Sequence, residues 1–280
     1  MRGRAITITQ KMGVRHIRVW LSFFTISVFL VLSSCGEFDK LMKSQDYELI
    51  YSKVKVYYAN GKYSQAASLI EKILPHYRGT TKSEELDYLH AKCYYEMGDY
   101  VMASHYFETF VRTYLTSEHA DDADFLMGYC YYKLSPRPEL DQTYTYNALN
   151  AFALHKTKFP NSQYNGQCDE LSAELKEKLA EKSYLSAKLY FRLEQYKAAI
   201  VAIGNSLEDY PDTHYREELM FLRLKSKYLY ALNSVRSKQP ERFQETVDDY
   251  YSFIDEFPQS RFIREAKKIY NNSNNYLSLK

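Results

Sequence analysis

Apolar positions along the chain recur with helical spacing, and the stretch "YLHAKCYYEMGDYVMASHYF", residues 88 to 107, shows the unit of the pattern. Tyr88, Lys92 and Tyr95 fall at i, i+4 and i+7, one face of an α-helix, while Ala91 and Tyr94 fall on a neighbouring stripe. After Gly98 a second helical pattern runs through Ala103, Phe107 and Phe110. The spacing predicts two helices joined by a tight turn at Gly98-Asp99-Tyr100. "YYANGKYSQAASLI" (57–70) and "YYEMGDYVMASHYF" (94–107) superimpose with a shift of 37, placing Gly61 on Gly98, Tyr63 on Tyr100 and Ala66 on Ala103. "LYFRLEQYKAAIVAI" (189–203) repeats the form with Tyr190, Tyr196 and Ala199.

The ends of the repeats agree as well. "FPNSQY" (159–164), "YPDTHY" (210–215) and "FPQSRF" (257–262) read aromatic-Pro-x-Ser/Thr-x-aromatic. Proline stops the outgoing helix, so Ser162, Thr213 and Ser260 are candidate caps of the helices that follow. "YRGT" (77–80) and "YLTS" (114–117) stand at the same junction without its proline. A small residue and an aromatic on a first helix, a Gly-x-Tyr turn, then Ala and an aromatic on a second are tetratricopeptide (TPR) features. The predicted fold is all-α, a right-handed superhelical solenoid of about five TPR helix-turn-helix repeats. Their approximate bounds are 48–80, 81–117, 118–162, 177–213 and 214–260, with a terminal helix over 261–275. "SPRPELDQT" (135–143) lengthens the turn of the third repeat and Asn233 to Arg242 that of the fifth.

Composition supports helices: 29 Tyr and 15 Phe supply a core, while 9 Gly and 7 Pro are few for the turns of an all-β fold. The first 34 residues read as a signal peptide, with Arg2, Arg4, Lys11, Arg15 and Arg18, no acids, then the apolar run Val19–Leu32. Met1 and Met12 are both possible starts. "LSSC" (32–35) resembles a bacterial lipobox, which makes Cys35 the expected lipidation site and residues 35–47 a short tether. The other readings of this segment are a plain transmembrane anchor, or an ordinary signal peptide with a chance cysteine. Gly36 follows Cys35 where an Asp would mark inner-membrane retention, so the expected location is the outer membrane, lipid-anchored, on its periplasmic face. Without the five leader cations, 32 Lys+Arg face 35 Asp+Glu, a net −3 that gives no support to nucleic-acid binding. Cys93, Cys130 and Cys168 remain, an odd count without metal spacing, and are expected as buried free thiols.

A second pattern lies on the first helices. Glu48-Tyr51-Lys55-Tyr58, Glu85-Tyr88-Lys92-Tyr95, Glu181-Tyr184-Lys188-Phe191 and Glu218-Phe221-Lys225-Tyr228 share the spacing i, i+3, i+7, i+10, and the third helix varies it as Asp122-Phe125-Tyr129-Tyr132. In the TPR frame these positions face the concave groove, whereas Ala91/Tyr94 and Ala187/Tyr190 are packing positions. The candidate peptide-binding groove is therefore Tyr51, Lys55, Tyr58, Tyr88, Lys92, Tyr95, Phe125, Tyr129 and Tyr132, suited to a peptide with aromatic side chains and a free carboxylate. The competing reading is that the stripe is core or inter-repeat packing and that the Glu/Lys pairs are solubilising. No catalytic residues are expected: the seven histidines are scattered, without HExxH, GxSxG or a Gly-rich phosphate loop. No cofactor or metal is expected either, and the chain reads as a non-enzyme.

Lipobox, tether, repeats and the stretches "SPRPELDQTYTYNALNAF", "FPNSQY", "AKLYFRLEQYKAAI" and "YPDTHYREE" together resemble the BamD family of outer-membrane assembly lipoproteins, in a form like that of Bacteroidetes. The resemblance covers nearly the whole chain after Cys35. It implies a subunit of the β-barrel assembly (BAM) machinery. Its C-terminal repeats would bind the POTRA region of a BamA-type barrel, and its N-terminal repeats would help recognise unfolded outer-membrane proteins. The alternative is a TPR lipoprotein scaffolding another envelope complex, for cell-wall synthesis or carbohydrate uptake.

Overall fold

The structure, a computed structural model, describes residues 36–279. Cys35 and the leader lie outside the described residues. The described chain is built of α1 (Tyr47–Ala59), α2 (Tyr63–Tyr77), α3 (Thr81–Glu96), α4 (Tyr100–Thr113), α5 (Ala120–Leu134), α6 (Thr143–Lys158), α7 (Asn165–Arg192), α8 (Tyr196–Asp209), α9 (Arg216–Leu232), α10 (Gln239–Glu256) and α11 (Ile263–Ser278). No strand occurs among the described residues, and none of their helices is long and apolar enough to cross a membrane. The chain divides into two compact units, one up to Cys130 and one from Tyr131 on.

In the first unit α1 to α4 each pack on the next helix in sequence. The stripe Ala66, Leu69, Ile70, Ile73 and Tyr77 of α2 is buried against Ile50, Val54 and Tyr57 of α1 and Leu86 and Cys93 of α3. Alanine at 66 and 103, both fully buried, admits the partner helix closely. Asp46 and Asp99 cap α1 and α4, accepting from the N–H groups of Leu49 (3.0 Å) and Met102 (3.1 Å). The intra-repeat turn is a Schellman close: Gly61 N–H reaches Tyr58 O and Lys62 N–H reaches Tyr57 O, with Gly61 at φ +71°. Gly98 repeats it at φ +77°. In the second unit the equivalent residue is Glu194, which holds φ +59° without being glycine.

The second unit packs α6 on α7 and then α7 to α11 in the same sequential way, and its first helices touch across repeats, α7 on α9 and α9 on α11. Its core gathers Ala187, Ala199, Ile203, Leu219, Leu224, Phe253, Ala266 and Ile269. Residues 163–176, outside the repeats of the sequence reading, are for the most part helical. From Asn165 they form the first half of the 28-residue α7, which buries Cys168 and Leu175. After Gly166 this stretch carries only good helix formers and small polar residues, with nothing to stop it before the turn at Glu194.

Two segments that read as loose turn out to be pinned. The lengthened third-repeat turn is folded onto α7. The buried Gln142 amide donates to the carbonyls of Arg137 (2.9 Å) and Leu140 (3.0 Å), Lys182 reaches Leu140 O (2.6 Å), and Lys178 reaches Ser135 Oγ (2.9 Å). The expected tether is also structured, since residues 36–43 are helical. Leu41 is only 4% exposed against α1 and α2, and Lys72 Nζ caps the end of the segment on the carbonyls of Leu41 (3.0 Å), Met42 (2.7 Å) and Ser44 (2.5 Å).

Candidate functional site

Within each unit the first helices carry a ladder that links one repeat to the next. Tyr51 donates its hydroxyl to Glu85, and Lys55 meets the same carboxylate at 2.6 Å. Tyr88 donates to Asp122. Tyr184 donates to Glu218 at 2.9 Å, and Lys188 meets Glu218 at 2.9 Å. Lys225 pairs with Glu265 at 2.7 Å. The Glu-x-x-Tyr-x-x-x-Lys spacing that looks like pairing within one helix is thus a set of bonds between helices. Glu85 and Glu218 receive both the tyrosine and the lysine of the repeat before, Asp122 only the tyrosine and Glu265 only the lysine. Burial pushes the Glu85 and Glu218 carboxyls up, but the hydrogen bonds from Lys55 and Tyr51, and from Lys188 and Tyr184, outweigh it and hold both below the ordinary value of 4.5.

The i+3 ring is also covered by the junction that follows it. Tyr184 stacks on Tyr215 (4.2 Å between centroids, 10° between planes), Phe221 on Phe262 (4.4 Å, 3°) and Tyr88 on His119 (4.3 Å, 6°). Tyr51 lies under Lys82 Nζ at 4.8 Å. The closing aromatic of "YPDTHY" and "FPQSRF" therefore lies on the preceding repeat's first helix. The i+10 ring closes the other end: Tyr58 meets Tyr63 edge-on (5.3 Å), Tyr95 meets Tyr100 (5.8 Å) and Phe191 meets Tyr196 (6.0 Å). Burial raises the Tyr58 hydroxyl and pushes that of Tyr95 up to about 12.

Tyr51, Lys55 and Tyr58 on α1, Tyr88, Lys92 and Tyr95 on α3, and Phe125 and Tyr129 on α5 all belong to the first unit, where Tyr95 and Tyr129 approach to 6.4 Å. Phe125 is core at 4% exposure, stacked on Tyr129, and leaves no face for a ligand. Tyr132 lies in the second unit, its hydroxyl on Glu174 at 2.8 Å. The packing positions differ from expectation. Ala91 and Ala187 are fully buried, but Tyr190 is 38% exposed, and Tyr94 is half-buried with its hydroxyl on Glu71 (3.1 Å) and its ring on Tyr106. A TPR frame assigns the small residue to the helix contact correctly; the ring three positions on overhangs the side of the hairpin.

Lys92 breaks the ladder. Lys55, Lys188 and Lys225 each hold a glutamate of the next repeat, but the acid facing Lys92 is the shorter Asp122, already bonded to Tyr88. Among the described residues Lys92 makes no ion pair; the residue is half-buried and its ammonium lies 5.5 Å from the Tyr95 ring centroid. The arrangement offers a cation beside aromatic surface, the chemistry of carboxylate recognition next to an apolar side chain.

At the junctions, Ser162, Thr213 and Ser260 act two residues earlier than an N-cap. Their hydroxyls accept from the N–H groups of Tyr164 (3.1 Å), Tyr215 (3.3 Å) and Phe262 (3.0 Å), which are themselves the cap residues of α7, α9 and α11. The hydroxyl closes a tight turn that delivers the stacking aromatic to its place. Cys93, Cys130 and Cys168 are buried free thiols, and burial pushes those of Cys93 and Cys130 up to about 12. No group of three His, Cys, Asp or Glu among the described residues could hold a metal ion.

Helix hairpins in register, small residues at the crossings and a first-helix ladder define an all-α repeat protein of the TPR class, a short solenoid in each unit. The chain is similar to the TPR domain of P58(IPK), with a TM-score of 0.40 and 15% identity over 86% of this chain and 68% of that one. It is also similar to the TPR2AB domain of yeast Sti1 in its pHSP90 complex, with a TM-score of 0.39 and 14% identity over 81% of this chain and 98% of that one. Among curated proteins none matches. The YfiO family, described as outer membrane lipoprotein, matches residues 43–241, and the chain belongs to it.

Proposed function

We propose that this outer membrane lipoprotein is a BamD-type subunit of the β-barrel assembly machinery, in the Bacteroidetes-like form, anchored by lipid on Cys35 at the periplasmic face. Its C-terminal repeats scaffold the POTRA domains of a BamA-type barrel. Its N-terminal repeats help recognise unfolded outer-membrane proteins through their aromatic, carboxylate-terminated ends. The family membership supports the assembly role. The observation that carries substrate recognition is Lys92, the ladder lysine with no acid partner among the described residues, half-buried beside Tyr95. A peptide ending in phenylalanine would place its carboxylate on the ammonium and its ring on the tyrosines.

Two measurements test this. Affinity purification of the native protein should recover a POTRA-containing barrel; recovery of peptidoglycan enzymes instead would move the protein to a different envelope machine. Lys92→Gln should weaken binding of the phenylalanine-terminated peptide roughly tenfold while leaving the melting curve unchanged, since no internal ion pair is lost. Lys55→Gln should do the reverse, because its ammonium is already committed to Glu85. Equal loss of peptide binding in both variants, or in neither, rules out Lys92 as the carboxylate site.

A further inference from the structure

The N-terminal segment is docked on the first unit. Residues 36–43 form a helix laid on α1 and α2. Four contacts hold it: the buried Leu41, Phe38 against Tyr57 (6.1 Å), the Glu37–Lys53 ion pair (2.6 Å) and Lys72 on three carbonyls at its end. The described helix thus starts at Gly36, the residue after Cys35. One residue spans at most about 3.6 Å, so the backbone of a lipid-bearing Cys35 would lie within about that distance of the docked segment. A protein on a long tether can tumble at the membrane; a docked helix directly beside the anchor restricts that motion.

The corner around Gly36 is identifiable from its charges. Glu37 pairs with Lys53 and lies within electrostatic reach of Lys40 and of Lys62, which stands at the α1–α2 turn. Three lysines (Lys40, Lys53, Lys62) here outnumber the two acids Glu37 and Asp39, and Val56 presents an exposed apolar side chain. Cations with a little apolar surface beside a lipid anchor suit anionic phospholipid headgroups. We infer that this corner, the docked segment together with the Asn60-Gly61-Lys62 turn, is a phospholipid-binding surface that orients the first unit with its α1–α2 turn against the bilayer. The inference rests on the reading of Cys35 as acylated.

Headgroup quenching in vesicles tests it. Asn60 is at the corner, and Arg78 lies beyond the far end of the 15-residue α2, about 22 Å away along the helix. Full-length acylated protein carrying a fluorophore on Asn60→Cys or on Arg78→Cys is reconstituted into phosphatidylethanolamine–phosphatidylglycerol vesicles with a nitroxide headgroup lipid. The buried thiols Cys93, Cys130 and Cys168 stay unlabelled. Quenching should be roughly threefold stronger at position 60, given the ~22 Å between the sites. In Lys72→Ala the contrast should fall toward parity, because the unpinned segment becomes slack. Protein that floats with vesicles but is quenched equally at both positions, or more at 78, overturns the inference while leaving the anchor intact. A full contrast surviving Lys72→Ala overturns the role of the docked segment. If Cys35→Ser floats as well as the parent, the anchor reading itself is wrong and the inference goes with it.

Discussion

The hydroxyl of Tyr184 donates to the carboxylate of Glu218, 34 residues later in the chain, at 2.9 Å, and the ring of the same tyrosine is covered by Tyr215 at 4.2 Å. One side chain thus joins two repeats by a charge-assisted hydrogen bond and by stacking. In a repeat protein, where each unit contacts only its neighbours, such links set the coupling between units. Tyr184→Phe keeps the stacking and removes the bond, so it should cost about 1 kcal/mol. A urea double-mutant cycle of Tyr184→Phe with Glu218→Gln should show coupling of at least ~0.5 kcal/mol. Strictly additive effects would mean that the bond contributes nothing in solution.

The ladder acids give stability a defined pH dependence. Glu85 and Glu218 are held below their ordinary 4.5 in the folded chain, so the folded state binds protons at these sites less readily than the unfolded one. Their contribution is therefore complete above about 4.5 and is lost as pH falls through the lowered folded values. Denaturation midpoints followed from pH 7 downward should fall in this acid range, and Glu85→Gln with Glu218→Gln should flatten the fall while lowering the midpoint at neutral pH.

Glu194 holds a left-handed backbone where Gly61 and Gly98 stand in the first two repeats. An L-residue there costs roughly 1–2 kcal/mol, part of which glycine gives back as unfolded-chain entropy. Glu194→Gly should raise stability by about 0.5–1 kcal/mol, read as a higher melting temperature with unchanged helical circular dichroism. A lower melting temperature would show that the glutamate side chain makes a compensating contribution in solution.

The hydroxyls of Ser162, Thr213 and Ser260 each hold one backbone N–H in a junction turn. Replacement by alanine should cost on the order of 1 kcal/mol each. Thr213→Ala and Ser260→Ala should also loosen the stacks of Tyr215 on Tyr184 and Phe262 on Phe221, giving a change in near-ultraviolet circular dichroism. Three melting curves identical to the parent would assign the turns to the prolines alone.

Helix positions were legible because their causes are local. Apolar spacing of three and four, Gly61 and Gly98 at the turns, and prolines at the junctions act within one or two turns of chain, and the described chain is all helical with left-handed glycines at 61 and 98. The same logic took residues 36–43 for a tether, although Leu41 and Lys72 dock them as a helix, and left 163–176 outside the repeats, although from Asn165 they are the first half of α7. It also took Phe125 for a groove residue, because periodicity reports a face and not what covers it.

By itself, then, the sequence determined the all-α repeat class, the turns, the buried alanines and the recurring Glu, Tyr and Lys positions, since each follows from helical geometry within a segment. Only the tertiary structure decided which partner each of those side chains takes. Tyr51 with Glu85 and Tyr184 with Glu218 are bonds across repeats, and a helix wheel cannot distinguish them from pairs three residues apart. The difference of one methylene between Asp122 and the glutamates elsewhere becomes meaningful only when α3 and α5 lie side by side. There Tyr88 takes the shorter acid and Lys92 is left without one, because ion pairing depends on a few ångströms of reach that no linear spacing encodes.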